Sequence, residues 1–299
     1  MLKFKNIFIF MSIFLFIGCD NPNKIKKIVY TSDIHVSLPE GRYHFMTKRY
    51  KEFLKNYMYQ DNIYFINGDF MDKVYMKDGK VIGGNREYQT KETKYFLDIT
   101  KSLTSLNKNK VLLNFGAGHD FGDLLLSEYL TKQKRIGQYT WGDVDLIWFT
   151  SKQAAFPSDN ISKSHSLTNS EYKLLEDMLA KSNNAILFSH IPIRTDETFI
   201  YGKWSNNRNL TIPLSDPLYK IIDKHQNSIL AIFTGHIHTP YQSQYNNIPI
   251  FAFPLIANNA HCEIEQNNQS IKVIPKNTNL ENKIIHLKKE FLYLNRTIQ

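Results

Sequence analysis

The sequence contains little cysteine. Its 299 residues include two cysteines, Cys19 and Cys262, and no Cys-x-x-Cys pair. Two cysteines cannot form the disulfide framework of a small secreted domain, and without paired thiolates a structural zinc site of that type is excluded. Stability must therefore come from a hydrophobic core. Hydrophobic residues make up 42% of the chain, which is enough for one large domain or two small ones.

Long runs of charge of one sign are also missing. The chain has 37 Lys and Arg against 28 Asp and Glu, a formal net charge of +9, but no block of five or more like charges. No basic cluster is interleaved with aromatic residues, so we expect no nucleic acid as the main partner. The positive balance fits an anionic substrate or an anionic membrane surface, and it equally fits a solvated, lysine-rich surface.

The apolar run near the N-terminus, from Ile7 to Ile17, is too short to span a bilayer, which takes about 20 apolar residues. Two lysines precede this run, and Gly18 and Cys19 follow it. This order resembles a secretory signal peptide that ends in a bacterial lipobox, although Phe16 stands where a lipobox usually has leucine. We therefore predict that Cys19 is lipidated. The alternative is a signal anchor with an incidental cysteine.

The remaining boundaries follow from composition. Residues 1–18 are predicted as the lipoprotein signal peptide and residues 19–27, which are polar and aperiodic, as a tether. Residues 28–275 would form the folded domain, and the Lys- and Asn-rich residues 276–299 a C-terminal extension. The predicted location is the cell envelope, with the protein anchored to a membrane by lipid at the periplasmic or extracellular face.

Short apolar runs alternate with amphipathic stretches, which predicts an α/β or α+β fold. The predicted strands, rich in β-branched and aromatic residues, are 28–31, 63–66, 111–115, 144–150, 185–189, 229–234 and 248–253. Helices are predicted over 46–58, after a capping box formed by Thr168 and Glu171, and after Asp216-Pro217. Residues 73–92 are predicted as a loop or an inserted hairpin.

Polar side chains follow five of these strands directly. The first strand leads into Asp33 and His35, the second into Asp69, and the third into His119 and Asp120, whereas later strands lead into His190, His236 and His238. The carboxyl ends of strands are where open sheets bind ligands. Imidazoles mixed with carboxylates suit Zn, Mn, Fe or Co better than Mg or Ca. The sequence therefore predicts a transition-metal site at these strand ends.

The ordered set Asp33-x-His35, Gly68-Asp69-x-x-Asp72, Gly118-His119-Asp120, His190 and Gly235-His236-x-His238 resembles the signature of the calcineurin-like metallophosphatases. The resemblance runs from about residue 28 to residue 256. It implies a sandwich of two mixed β-sheets flanked by helices, and two divalent metal ions. One ion would be held by Asp33, His35 and His238 and the other by His190 and His236, with Asp69 bridging them. His119 would lie near the substrate, with Asp120 orienting it.

One position departs from the family pattern. The third motif of the family usually begins Gly-Asn-His, and that asparagine supplies an amide oxygen to the second metal, but here Gly118 stands in its place. Asn114 lies four residues earlier, within a predicted strand, and is not expected to replace it. The change could weaken the second metal, alter its identity, open a position for substrate or mark a degenerate site.

The resemblance implies a phosphoesterase that hydrolyses phosphate mono- or diesters, with a hydroxide held between two metals as the nucleophile. A second hypothesis is a non-catalytic surface lipoprotein that binds a ligand or a partner on the same fold. A third is an envelope assembly protein in which the metal site is structural. Metal stoichiometry and turnover, measured together, separate the first hypothesis from the others.

Four further residues carry weaker signals. Arg194, four residues after His190, is a candidate for binding the phosphate of the substrate. Asp72 could support a metal ligand or cap a helix. His261 is interpreted as part of a surface loop rather than of the pocket. Cys262 is predicted to be a small buried residue and not a nucleophile.

Overall fold

The computed structural model describes residues 27–57, 62–72, 74–78, 80–83, 86–105, 110–114, 134–150, 167–195 and 211–287. These residues form fourteen strands and four helices. In chain order the elements are β1 (Ile28–Thr31), α1 (His44–Tyr57), β2 (Ile63–Asn67), β3 (Val74–Lys77), β4 (Lys80–Gly83), α2 (Arg86–Ser105), β5 (Lys110–Asn114), β6 (Ile136–Trp141), β7 (Val144–Phe149), α3 (Asn169–Lys181), β8 (Ala185–Ser189), α4 (Leu218–His225), β9 (Ile229–Thr234), β10 (Tyr241–Tyr245), β11 (Ile248–Ala252), β12 (His261–Gln266), β13 (Ser270–Lys276) and β14 (Lys283–His286).

Twelve of these strands form two mixed sheets of six. The first sheet has the order β14-β13-β12-β1-β2-β5, with β1, β2 and β5 parallel. The second has the order β10-β11-β9-β8-β7-β6, with β11, β9, β8 and β7 parallel. The strands β3 and β4 pair only with each other, as a hairpin. Each sheet therefore has a parallel centre whose strands end at one edge.

The inner faces of the two sheets enclose a core that is largely aromatic. Alternate residues of each strand point into it, as expected from the period of two in a pleated strand. From the first sheet Tyr30 and Phe65 enter this core, and from the second Phe188 and Phe233. The rings of Phe65 and Phe188 stack across the sandwich with their centroids 3.7 Å apart. This contact holds the sheets face to face.

Helices cover both outer faces of the sandwich. Against the first sheet, α1 packs Tyr50, Phe53 and Leu54, while α2 contributes Phe96. Against the second, α3 and α4 pack leucines, isoleucines and tyrosines. The helix predicted after Asp216-Pro217 is present as α4 but begins one residue later, at Leu218, with Pro217 at the cap position. The Asp216 carboxylate still accepts a hydrogen bond of 2.9 Å from the N–H of Leu218.

The seven predicted strands are all present, with ends that differ by at most one residue. The prediction for 73–92 is half correct, because β3 and β4 form the hairpin but residues 86–92 begin the helix α2. The strands β6, β10, β12, β13 and β14 were not predicted. Of these, β14 pairs with β13 inside the segment assigned to a C-terminal extension.

The helix α2 was not predicted because of the residue types on its buried face. Two of the side chains that it buries are threonines, Thr93 and Thr100, so its inner face does not read as an apolar stripe. Their hydroxyls donate to the carbonyls of Gln89 and Phe96, four residues earlier, at 2.8 Å each. Because those bonds satisfy the hydroxyls inside the helix, threonine can occupy the buried face at little cost.

Among the described residues, no helix combines the length and the apolar character that crossing a bilayer would require.

The capping box before α3 gives a test of the local structure. Thr168 Oγ1 accepts from the N–H of Glu171, and Glu171 Oε2 accepts from the N–H of Thr168 at 2.7 Å. Replacing Thr168 by alanine removes one acceptor at the helix start, so the free energy of unfolding in urea should fall by about 1 kcal/mol. The exposed Thr140, which bonds Asp145 in a surface hairpin, is the control. Thr140→Ala should change stability by less than about 0.5 kcal/mol, and equal effects would contradict the capping role.

Candidate metal centre

The candidate site lies where four strands, two from each sheet, end at the same edge. Asp33 and His35 follow β1, Asp69 follows β2, His190 follows β8, and His236 and His238 follow β9. Main-chain bonds continue beyond the strands and hold these loops in pairs. Asp33 N–H donates to Gly68 O at 3.0 Å, His35 N–H to Asp69 O at 2.9 Å, and Gly235 N–H to His190 O at 2.9 Å.

Five of the six candidate ligands have a left-handed backbone. Their φ angles, all positive, are 50° at Asp33, 45° at His35, 50° at Asp69, 69° at His236 and 59° at His238. Residues other than glycine adopt this conformation at a cost on the order of 1 kcal/mol each. The turns therefore store strain at the positions that direct side chains into the site.

The first donor group consists of Asp33, His35, Asp69 and His238, whose ligand atoms lie within 4.8 Å of one another. The Nε2 atoms of His35 and His238 are 3.0 Å apart. His238 Nε2 is 3.3 Å from Asp33 Oδ1, and His35 Nε2 is 3.8 Å from Asp69 Oδ2. Two imidazoles and two carboxylates thus point at a common centre.

The second donor group consists of Asp69, His190 and His236, again with ligand atoms within 4.8 Å of one another. His190 Nε2 lies 3.3 Å from Asp69 Oδ1. His190 Nδ1 donates to the carbonyl of Asn67 at 2.8 Å, because a carbonyl can only accept. That bond fixes a proton on Nδ1, so Nε2 is the nitrogen that would bind a metal, which would take the place of the second proton.

Asp69 belongs to both donor groups. Its Oδ2 faces His35 in the first group, and its Oδ1 faces His190 in the second. A carboxylate whose two oxygens face two separate donor sets has the arrangement of a bridging ligand. Asp69 is therefore placed where a bridging carboxylate would lie, and its role as a bridge stays a prediction.

Asp33 joins the two sheets at the site. Both of its carboxylate oxygens accept from the main-chain N–H of His236, at 2.9 and 3.1 Å. Gly235 makes this approach possible, since a Cβ added there would lie 2.6 Å from Asp33 Oδ2 and 2.9 Å from His190 Nδ1. A side chain at residue 235 would force both of these ligands to move.

The two buried carboxylates of the site, Asp33 and Asp69, favour positive charge beside them. Burial would lower the pKa of His190, but the carboxylates of Asp69 and Asp33 raise it to about 10. Burial would raise the pKa of Asp33, but its bond to His238 and the charges of His190 and His238 lower it. The pKa of His236 falls to about 4, because desolvation and the neighbouring His190 charge disfavour its charged form. At neutral pH His190 is therefore protonated next to Asp69 and Asp33, whereas His236 is neutral.

These residues fit divalent cations. His190 Nε2 and His236 Nδ1 are buried nitrogens that make no hydrogen bond within the described part of the chain. A buried acceptor without a partner is costly, and a cation would satisfy both nitrogens. Imidazoles with carboxylates are the donor set that Zn, Mn, Fe and Co prefer. The first and second donor groups are therefore able to hold metal.

A layer of neutral polar side chains lies beneath the donor groups. Asn67 Nδ2 is 2.8 Å from Tyr30 OH, 3.3 Å from Ser189 O and 3.4 Å from Phe233 O. Asn114 Nδ2 donates to Asn67 Oδ1 at 2.7 Å. Asn67 is not among the candidate residues named from the sequence. Its signal there is that β2 and β5 both end in asparagine after an apolar run, a pattern that indicates a buried polar contact.

Asn114 does not replace the metal-binding asparagine of the third motif. Its Nδ2 is bonded to Asn67, and its Oδ1 accepts from Thr150 Oγ1 at 3.2 Å. Both ends of this amide are therefore engaged within the polar layer. The residues of the third motif itself, Gly118, His119 and Asp120, lie outside the described part of the chain, as does Cys19.

Asp72 is buried, and Arg42 Nη2 binds its Oδ1 at 2.9 Å. No helix begins at this position, because the strand β3 follows, so the interpretation as a helix cap is wrong. The ion pair instead fastens the loop after β1. In that loop Tyr43 packs edge-on against His35, with ring centroids 5.3 Å apart, and the guanidinium of Arg42 lies over Tyr43.

The other three candidates have mixed outcomes. The side chain of Arg194 is exposed and its main-chain N–H donates to Tyr219 OH at 2.8 Å, so its contact with substrate stays a prediction. His261 is not in a surface loop, because it begins β12, is 5% exposed and lies 2.6 Å from Tyr57 OH. Cys262 is buried between the sheets, as predicted.

A match to a known protein family assigns the chain to that family. Residues 26–240 match the family described as calcineurin-like phosphoesterase, which is more than half of the chain. The chain belongs to the calcineurin-like phosphoesterase family. As a member, it is a hydrolase acting on phosphoric ester bonds, and the resemblance carried by the strand-end motifs is confirmed.

Solved structures share the calcineurin-like fold. A dimetal phosphatase from Danio rerio superposes with a TM-score of 0.61 and 9% identity, over 88% of this chain and 99% of that one. A Plasmodium protein described as the anchor in the inner membrane complex gives 0.52 and 11%, over 88% and 89%. A purple acid phosphatase from yellow lupin, Lupinus luteus, gives 0.50 and 10%, over 84% and 51%. No curated protein is significantly similar in sequence.

The close approach at Gly235 predicts the effect of one methyl group. Gly235→Ala should displace Asp33 and His190, so the affinity for Mn²⁺, measured by titration calorimetry, should fall at least about tenfold. Gly137→Ala is the control, because its Cβ would overlap the ring of Trp148, outside the donor groups. It should lower thermal stability and leave Mn²⁺ affinity unchanged. Unchanged affinity in Gly235→Ala would show that the ligands tolerate the displacement.

Proposed function

We propose that this phosphoesterase hydrolyses phosphate mono- or diesters with two divalent cations, Mn, Fe, Zn or Co, held by the first and second donor groups. The observation that carries the proposal is the placement of Asp69, whose two oxygens face the two groups separately. The Danio rerio neighbour is described as a dimetal phosphatase and the lupin neighbour as a purple acid phosphatase, and both descriptions favour the same chemistry.

The cations would neutralise the phosphate oxygens and lower the pKa of a water molecule, so that a hydroxide nucleophile is available at neutral pH. The protein orients the reaction. Asp33, His35, Asp69 and His190 have no exposed surface, whereas His236 and His238 are half-buried. The substrate therefore approaches from the turn that carries His236 and His238. A hydroxide supplied in this way would attack phosphorus, and the ester oxygen on the far side would leave with a proton.

The leaving oxygen needs a proton. We assign that proton to His119, with Asp120 holding the imidazole in its charged form, as the third motif implies. Arg194, close in sequence to His190, is the proposed contact for a non-reacting phosphate oxygen. His119 and Asp120 lie outside the described residues, so their roles rest on the sequence motif alone.

The proposal is tested with p-nitrophenyl phosphate and bis-p-nitrophenyl phosphate. The protein should release p-nitrophenol after reconstitution with Mn²⁺ or Zn²⁺ and should lose this activity on chelation. His35→Ala should abolish turnover by removing a ligand, and His119→Ala should lower kcat by about 10²- to 10⁴-fold, since general acid catalysis contributes that much. Metal content, measured in the same samples, should be two ions per chain for the native protein.

Two controls separate loss of chemistry from loss of fold. His286→Ala changes an exposed histidine on β14 and should retain full activity. His119→Ala should retain two ions and the native melting temperature, because His119 is not among the proposed ligands. Two bound ions without turnover of either ester would point to a narrow natural substrate, whereas one ion or none and no turnover would favour the non-catalytic surface protein.

We also propose that the protein is held at a membrane of the cell envelope by a lipid on Cys19. The support is the order of the N-terminal residues, with Lys3 and Lys5, the apolar run, and then Gly18 and Cys19. Such an anchor would present the metal centre to esters at the membrane surface.

Lipidation is tested by metabolic labelling. Cells that express the native chain with an alkyne fatty acid should yield a labelled protein in the membrane fraction. Cys19→Ser should lose the label, while Cys262→Ser, at the buried second cysteine, should keep it. A label that persists in Cys19→Ser would exclude this anchor.

A further inference from the structure

The side chain of Asn67 is a junction between the two sheets. Its amide nitrogen lies within hydrogen-bond distance of Tyr30 OH on β1, Ser189 O on β8 and Phe233 O on β9. Asn67 itself ends β2, so its amide nitrogen links β2 to three other strands, β1, β8 and β9. Those four strands are the ones whose ends carry the six candidate ligands.

The orientation of this amide is determined by its neighbours. Asn114 Nδ2 donates to Asn67 Oδ1 at 2.7 Å, and Asn114 is held in turn by Thr150 Oγ1, which reaches its Oδ1 at 3.2 Å. Exchanging the oxygen and nitrogen of Asn67 would bring two N–H groups together and turn its oxygen toward two carbonyls. Asn67 is therefore a donor toward Ser189 and Phe233.

The strands that this amide joins carry the second donor group. Ser189 directly precedes His190, Phe233 comes three residues before His236, and Asn67 comes two residues before Asp69. The main-chain carbonyl of Asn67 also accepts the Nδ1 proton of His190 at 2.8 Å. The Asn67 side chain therefore joins the three strands that carry the ligands of the second group, in addition to the main-chain bonds from His190 Nδ1 to Asn67 O and from Gly235 N–H to His190 O.

We propose that Asn67 is a positioning residue for the second donor group and sets the affinity of that group for a divalent cation. The inference rests on the proposed two-cation function. Asn67 touches neither the ions nor the substrate and acts through Asp69, His190 and His236. Of the strands that carry the first donor group alone, the Asn67 amide contacts β1 through the hydroxyl of Tyr30, whereas the second donor group lies on β2, β8 and β9, which this amide joins directly. Loss of the Asn67 side chain should therefore affect the two groups unequally.

The test is a titration of the metal-free full chain, purified in detergent, with Co²⁺, followed by its visible absorption. The native protein should bind two ions, and His236→Ala identifies the absorption change that belongs to the second donor group. In Asn67→Ala the affinity of that group should fall about tenfold or more, the range expected when a partner of a metal ligand is removed, with a smaller loss at the first group.

Asn62→Ala is the matched control. Asn62 is a buried asparagine at the other end of β2, and its Nδ2 lies 3.4 Å from Tyr64 OH. This substitution also removes a buried amide, but it should leave both cobalt affinities unchanged. If Asn67→Ala does not fold, Tyr30→Phe removes the bond from Asn67 Nδ2 together with the bond from Tyr30 OH to Thr234 O, two residues before His236. Tyr64→Phe is its control, because the Tyr64 hydroxyl also takes part in two buried bonds, with Asn62 Nδ2 and Tyr57 O. Tyr30→Phe should then weaken the second donor group selectively.

The outcomes separate this inference from the proposed function. A native protein that binds fewer than two Co²⁺ ions removes the proposed two-cation centre and the inference with it. Two ions in the native protein and unchanged affinities in Asn67→Ala, or in Tyr30→Phe if that variant is used, overturn the inference alone. Equal losses in Asn67→Ala and Asn62→Ala would also overturn it, because the effect would then be one of general stability.

Discussion

Two buried carboxylates, Asp33 and Asp69, impose the condition that the rest of this edge of the molecule satisfies. Neither has any exposed surface. Removing a carboxylate from water costs several kcal/mol, unless hydrogen bonds and positive charge replace the lost hydration. Asp33 receives the N–H of His236 across the sheets, and His190 and His238 lie within 3.3 Å of the two carboxylates. Cations bound by the two donor groups would supply the remaining positive charge that the buried carboxylates require.

The backbone at the site is strained because these carboxylates and imidazoles must point at a common centre. Five candidate ligands adopt positive φ, which places their side chains at a common centre and costs on the order of 1 kcal/mol each. Main-chain bonds that extend the ladders past β1 and β2 hold the strained turns in place. The aromatic core between the sheets offsets this cost, because burial of apolar area stabilises by roughly 25 cal/mol per Å². The aromatic core between the sheets therefore stabilises the fold, whereas the strained turns at the strand ends destabilise it.

The predictable and unpredictable parts of the structure differ in physical character. Buried strands such as β8 were predicted to the residue, because both of their faces are apolar and no other structure explains such a run. The partly exposed edge strands β6 (Ile-Gly-Gln-Tyr-Thr-Trp) and β10 (Tyr-Gln-Ser-Gln-Tyr) mix polar with aromatic residues and have no apolar run, so their pairing with a neighbouring strand identifies them. The helix α2 was not predicted, because two of its buried side chains are threonines. In each case the information lies in a tertiary contact.

The site shows the same division. Asp33, His35, Asp69, His190, His236 and His238 were recognisable because each follows an apolar strand within a few residues, and strand ends converge. Asn67 was not recognised, because its role depends on carbonyls from two strands more than 100 residues away along the chain. The sequence shows that β2 and β5 each end in asparagine, but not which carbonyls Asn67 contacts.

The polar layer explains how an aromatic core can end at a charged site. Within the sandwich the side chains change from the stacked rings of Phe65 and Phe188 to the hydrogen-bonded amides of Asn67 and Asn114, and then to ionised carboxylates. Because each amide contact is made within the protein, the layer needs no water to satisfy it. Charge at the strand ends therefore has buried, hydrogen-bonded amides on one side and the half-buried His236 and His238 on the other. Among the six candidate ligands, these two histidines are the ones with exposed surface, so they mark the side from which an ester would approach.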